Sequence, residues 1–300
     1  MDDDGSVHLR FDGVDKRYGE HLVLDDFSLN CEPGAVTALI GSNGAGKSTA
    51  LRILLGLVRA DDGAATIGGR AFHELPHPAQ VVGALLPDSG FHPRQRVREV
   101  LTSLSPLAGA DEARCDELLE RVGLSDAARS RTKTLSTGMT VRLKVAIALL
   151  GEPAALVLDE PSDGLDAEGS RVLRELLREQ ADAGGTVLLT NHRLDEVEAT
   201  ADRVVLLQSG RPVYNGSVSS LRRRVGVVHE LEPSDAARLL THLASLRIRA
   251  LGRAGKVTTV AADEDELRRA VADLGLDLRS IRSRDPRLDE LVEVLQESAA

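Results

Sequence analysis

The chain has little with which to staple or to stack. Its two cysteines, Cys31 and Cys115, share no repeated spacing and have no ligand residues clustered beside them, which excludes a disulfide framework and a zinc site and suits a reducing setting. Tryptophan is absent and aromatics make up 2% of the residues, so stacking platforms for single-stranded nucleic acid lack material. A formal net charge of -10 points the same way, because phosphate backbones reward basic patches. The triplet Arg222-Arg223-Arg224 reads as solvated surface beside a loop, and no direct nucleic-acid partner is expected. No apolar run approaches the roughly 18 to 20 residues that span a bilayer. The first residues, MDDDGSVHLRF, open on acid where a secretory leader would carry positive charge. Membrane contact is therefore expected through another chain.

What is present is enough for a core. With 300 residues at 42% hydrophobic, one main domain and a small second one are expected. Residues 8–40 read as short strands separated by turns at Tyr18-Gly19-Glu20 and Glu32-Pro33-Gly34. Further on, helical spacing covers about 110–122, 140–150, 170–181 and 194–199, and apolar strands cover 155–158 and 186–190. Residues 203–207 and 212–214 read as a hairpin around Ser209-Gly210. Alternating strands and helices indicate an α/β core with a parallel sheet covered on both faces. After about Leu221 the order becomes strand, helix, strand, strand, helix, strand, with a last helix over 288–296: a small α+β domain.

The strongest local signal is GSNGAGKST, residues 41–49, which follows the apolar strand AVTALI and precedes a helical run. It fits GxxxxGK[ST] at every fixed position. Gly41, Gly44 and Gly46 let backbone N–H groups turn inward around phosphate oxygens, with Asn43 in the same loop. Lys47 reaches the β- and γ-phosphates, the Ser48 hydroxyl ligates Mg²⁺, and Thr49 continues the helix start. The helix N-terminus adds partial positive charge. A second strand, ALVLDE, ends on Asp159, placed to hold the Mg²⁺ shell, and Glu160, placed to orient or deprotonate an attacking water. His192 follows the strand TVLLT as Asp159 follows ALVL, so in a parallel sheet all three reach one edge.

Together these marks resemble the ATP-binding cassette (ABC) family over about residues 8–218, in particular the separately encoded ATP-binding subunits of bacterial export and multidrug transporters. The resemblance implies a P-loop cassette with a RecA-like core, an antiparallel β subdomain and a helical subdomain at about 88–150. It implies a cassette domain over 1–221 and an accessory α+β domain over 222–300. It also implies that Tyr18 stacks on adenine, and that LSTGM, residues 135–139, is the signature turn. Ser136 and Gly138 there close over ATP bound by the opposite copy of a homodimer, with Asp166 along the same seam; Asp166 equally reads as the N-cap of the helix that begins near Glu168. ATP and Mg²⁺ are the implied cofactors and an integral membrane permease the implied partner, with the chain held peripherally on the inner face of the cell membrane.

Two departures stand out. The glutamine that the family places between phosphate loop and signature is missing: its position falls near Pro87 or Asp88, and Gln95 comes several residues too late. Thr137 and Met139 replace the usual glycine and glutamine of the signature, while Ser136 and Gly138 remain, so an active ATPase is expected. The other functional classes open to this sequence are a soluble, non-transport cassette ATPase and an ATP-binding regulatory protein. The apolar positions Leu288, Leu291, Val292 and Leu295 share one face of the last helix and suit docking to the cassette or to a second copy.

Overall fold

The hairpin that opens the fold turns on glycine. In the computed structural model, which describes residues 6–87, 90–260 and 262–298, β1 (Leu9–Tyr18) pairs antiparallel with β2 (His21–Cys31). Tyr18 lies opposite His21, and Gly19 sits between them at φ +61°, which only a residue tolerant of the left-handed region accepts without strain. The chain divides into two compact units, Met1–Asn215 and Gly216–Ala300.

The first unit continues with β3 (Val36–Gly41), α1 (Lys47–Leu54), β4 (Asp62–Ile67), α2 (Pro78–Val81), β5 (Val82–Leu85), α3 (Val97–Ala108), α4 (Glu112–Arg121) and α5 (Thr137–Ala148). It closes with β6 (Ala155–Asp159), α6 (Ala167–Asp182), β7 (Thr186–Thr190), α7 (Leu194–Thr200), β8 (Arg203–Gln208) and β9 (Arg211–Ser217), whose last two residues fall past the division between the units. Two sheets result. β2, β1 and β4 form a three-stranded antiparallel sheet. The second runs β5-β6-β7-β3-β8-β9, and β5, β6, β7, β3 and β8 are parallel neighbours. β6 and β7 are buried at every position, which explains why they read as continuous apolar runs rather than as alternation. One core joins the sheets: Phe11 meets Phe27 edge to face at 5.1 Å, and Leu51 and Leu54 of α1 pack into the same cluster as Leu39, Val157 and Leu188. α6 buries Leu173, Leu176 and Leu177 at the spacing of one helical face.

The second unit contains α8 (Val218–Val225), β10 (Val228–Pro233), α9 (Ala236–Ser245), β11 (Ala250–Arg253), β12 (Lys256–Val260), α10 (Glu264–Asp273), β13 (Leu278–Arg284) and α11 (Leu288–Ser298). Its strands form one antiparallel sheet in the order β11-β12-β10-β13, the split βαββαβ arrangement. Leu231 and Val257 of the sheet bury against Leu239, Leu243, Leu267 and Val271 of α9 and α10. α11 packs against α8, and Leu288, Leu291, Val292 and Leu295 are all buried. That apolar face is covered within the chain and is not open to a second copy. Among the described residues, no helix is long and apolar enough to cross a membrane.

Candidate functional site

The phosphate loop leaves β3 in the middle of the parallel sheet, and its glycines are there because backbone crowds them. A Cβ on Gly41 would lie 2.3 Å from the carbonyl oxygen of Leu207, and one on Gly46 would lie 2.6 Å from that of Val23. Gly46 takes φ +108° as the N-cap of α1, whereas Gly44, at φ +81°, faces open space. The buried Lys47 ammonium donates to the carbonyls of Gly41 at 2.9 Å and Ser42 at 3.1 Å. An ammonium has three donors, so one remains for a ligand. Lys47, Ser48 and Thr49 form the first turn of α1, where backbone N–H groups have no intrahelical acceptor and attract anions.

Beside β3 lies β7 and beyond it β6, and these two strands bring the polar residues together in register: Asp159 pairs with Thr190. Asp159 is 2% exposed; its Oδ1 accepts from Thr190 Oγ1 at 2.5 Å, while its Oδ2 is buried without a partner. Glu160 sits at φ +50°, an uncommon conformation for a residue with a side chain. Its N–H is held there by Thr190 O at 3.2 Å and Oγ1 at 3.0 Å. Glu160 Oε2 lies 3.2 Å from His192 Nδ1, and Asp163 Oδ1 lies 3.8 Å from the same nitrogen. Burial pushes the Glu160 carboxyl above the ordinary glutamate value and the neighbouring Asp163 carboxyl pushes it further, with His192 pulling the other way. Sequence reasoning singled out Asp159, Glu160 and His192; it gave no role to Thr190 or Asn191, and it named Ser162 and Asp163 only as part of the family's D-loop, without a role of their own. Their signal was faint: polar residues at, or within four positions of, the ends of two apolar strands.

The other expected residues lie on separate elements. Ser136 caps α5, accepting from Met139 N at 3.2 Å, and a Cβ on Gly138 would lie 3.0 Å from the Gly164 carbonyl. Gly164 in turn has no room for a side chain, because Thr137 Cγ2 would be 2.5 Å from its Cβ. The signature turn therefore packs on the turn after Glu160 of its own chain. Asp166 caps α6 through Gly169 N at 2.8 Å. Tyr18 is 51% exposed at the tip of its hairpin, with Lys16 Nζ 5.4 Å from its ring centre. Gln95 is engaged with α3, donating to Glu99 O at 3.3 Å and Ser103 Oγ at 3.2 Å. Pro87 O instead accepts from Lys144 Nζ of α5 at 2.8 Å, and Asp88 lies outside the described residues.

Comparison with known proteins agrees with this arrangement. The family model "ABC transporter" matches residues 24–163. An uncharacterized ABC transporter ATP-binding protein of Bacillus subtilis is 34% identical over 94% of this chain and 93% of its own length. A daunorubicin resistance ATP-binding protein of Streptomyces coeruleorubidus is 33% identical over 94% of both chains. A Nod factor export ATP-binding protein of Paraburkholderia xenovorans is 37% identical over 71% of this chain and 72% of its own. Among solved structures, the ATP-binding subunit of an ABC transporter superposes with a TM-score of 0.66 at 29% identity, covering 72% of this chain and 92% of that one. With the phosphate loop, the paired strand ends and full-length relatives in agreement, this chain belongs to the ATP-binding proteins of ABC transporters.

Proposed function

We propose that this chain hydrolyses ATP to drive a separate integral membrane permease, and that two copies work as a pair on the inner face of the cell membrane. The observation that carries hydrolysis is the 3.2 Å approach of Glu160 to His192 beside the buried, unpaired oxygen of Asp159, on the sheet that also launches the phosphate loop. Lys47 and the N–H groups at the start of α1 neutralise the phosphates. Glu160 takes the proton of an attacking water; its raised pKa strengthens it as an acceptor. His192 approaches the γ-phosphate from the neighbouring strand end.

A divalent cation fits the residues present. Among the described residues, Asp159 is the one strand-end carboxylate whose buried oxygen lacks a partner, and the Ser48 hydroxyl stands in the first turn of α1. When bound, Mg²⁺ neutralises the charge on the β- and γ-phosphate oxygens.

In the paired state, Ser136 and Gly138 of one copy close over the ATP held by the other, and Tyr18 stacks on adenine. A capping serine accepts through Oγ and keeps its own O–H to donate to an anion. Asp166 lies along the same seam, residues 1–221 act as the cassette and residues 222–300 as an accessory domain. Export is the direction supported by relatives named for daunorubicin resistance and Nod factor export. Mg²⁺-dependent phosphate release from ATP tests the hydrolytic reading. Glu160→Gln is expected to lower turnover by about 100-fold or more while ATP still binds. Equal turnover in the two proteins would remove Glu160 from the mechanism.

A further inference from the structure

We propose that Asn191 is a positioning residue whose buried amide ties the loop bearing His192 to the turn after Glu160, and so sets these two groups against each other. The proposal rests on the hydrolytic reading of Glu160 and His192. Their side chains are 27% and 48% exposed, and a contact between such groups contributes little by itself in water. The restraint comes from beneath. Asn191 Nδ2 donates to Ser162 Oγ at 2.9 Å, and these residues are 3% and 2% exposed.

The same amide is fixed in orientation. Asn191 Oδ1 accepts from the N–H of Arg193 at 2.8 Å, so exchanging its oxygen and nitrogen would set two donors face to face. His192 is thus pinned on both sides, by the residue before it and the residue after. Arg193 also pairs with Asp195 at 3.2 Å and Glu196 at 3.4 Å, and Glu196 pairs with Arg174 of α6 at 2.9 Å. On the opposite loop, Ser162 lies two residues beyond Glu160, and its carbonyl accepts from Leu165 N at 3.2 Å in the turn that enters α6. Thr190 joins the strand ends themselves; Asn191 joins the loops beyond them, where the strands no longer do so. Nothing in this link touches Lys47, so its loss acts on the reacting pair and not on the phosphate loop.

The test compares wild type, Asn191→Ala, Ser162→Ala, the double variant, Ser162→Thr and Glu160→Gln in the full chain. It reads kcat, the Kd for ATP, and the ring-proton resonance of His192, assigned by its loss in His192→Ala. We expect kcat to fall about tenfold in each alanine variant, the scale of one lost buried hydrogen bond. ATP affinity should stay within about twofold of wild type, because the phosphate loop is untouched. The double variant should lose no more than either single one, Ser162→Thr should restore turnover by keeping the hydroxyl, and the His192 resonance should move in both single variants. Wild-type kcat in Ser162→Ala, additive losses in the double variant, or an unmoved His192 resonance would overturn the proposal. A wild type no faster than Glu160→Gln would instead overturn the hydrolytic reading, and the His192 resonance would still decide the link.

Discussion

Two buried carboxylates, one in each unit, differ in how their oxygens are held. Glu290 in the second unit is 5% exposed, and both of its oxygens are engaged: Oε1 by Arg284 at 2.6 Å, Oε2 by Arg284 at 2.9 Å and by Arg287 N at 2.8 Å. Arg284 also reaches Glu230 at 2.8 Å. Asp159 in the first unit is buried as deeply, yet one of its oxygens has no partner. A buried, unpaired carboxylate oxygen costs stability, so a fold retains it where a ligand completes it. The paired carboxylate holds structure; the unpaired one, in the function proposed above, is completed by a cation.

Substitutions at the two positions sharpen that contrast. Asp159→Asn should lower ATP turnover by about 100-fold, the upper range for a residue that supports a metal, while the thermal midpoint stays the same or rises as a buried charge is removed. Gly46→Ala should lower ATP affinity and destabilise the first unit by about 2 kcal/mol, because the new Cβ meets the Val23 carbonyl at a backbone conformation alanine resists; calorimetry reads both. Glu290→Gln should show the opposite pattern to Asp159→Asn, with about 2 kcal/mol less stability in the second unit, measured by denaturant unfolding, and turnover unchanged.

The pH response separates them further. Burial pushes the Glu290 carboxyl up, but Arg284 and the Arg287 N–H outweigh it and hold the group below the ordinary glutamate value. A carboxyl depressed in the folded state contributes stability that is present above about pH 4.3 and is lost as pH falls through its folded value. Wild-type stability of the second unit should therefore decline below about pH 4.3, and Glu290→Gln should flatten that decline. The smallest effect expected on stability is that of Ser136→Ala, about 1 kcal/mol from loss of the α5 cap.

Much of the site was legible because its chemistry is local. The spacing of Gly41, Gly46, Lys47 and Ser48 is written within nine residues, and Asp159-Glu160 and His192 each end an apolar run that could only be a buried strand. The supporting residues were not legible, because they depend on register. Thr190 matters by standing opposite Asp159 across two parallel strands, and Asn191 by meeting Ser162 one step further on. β4 was missed because half of DGAATI is exposed and it shows no apolar alternation. α3 was missed because it carries Pro106 and lies in a stretch read for its absent glutamine. The triplet Arg222-Arg223-Arg224, read as surface beside a loop, belongs to the helix α8.

The free oxygen of Asp159 is the feature on which the contrast turns, and metal affinity measures it most directly. The ATP-loaded chain can be titrated with Mn²⁺ in place of Mg²⁺ and the bound fraction read from its EPR signal, for wild type and Asp159→Asn. Binding at least about tenfold weaker in Asp159→Asn, with no loss of thermal midpoint, is the expected result. Equal affinity in the two proteins would contradict the assignment of that oxygen to a cation.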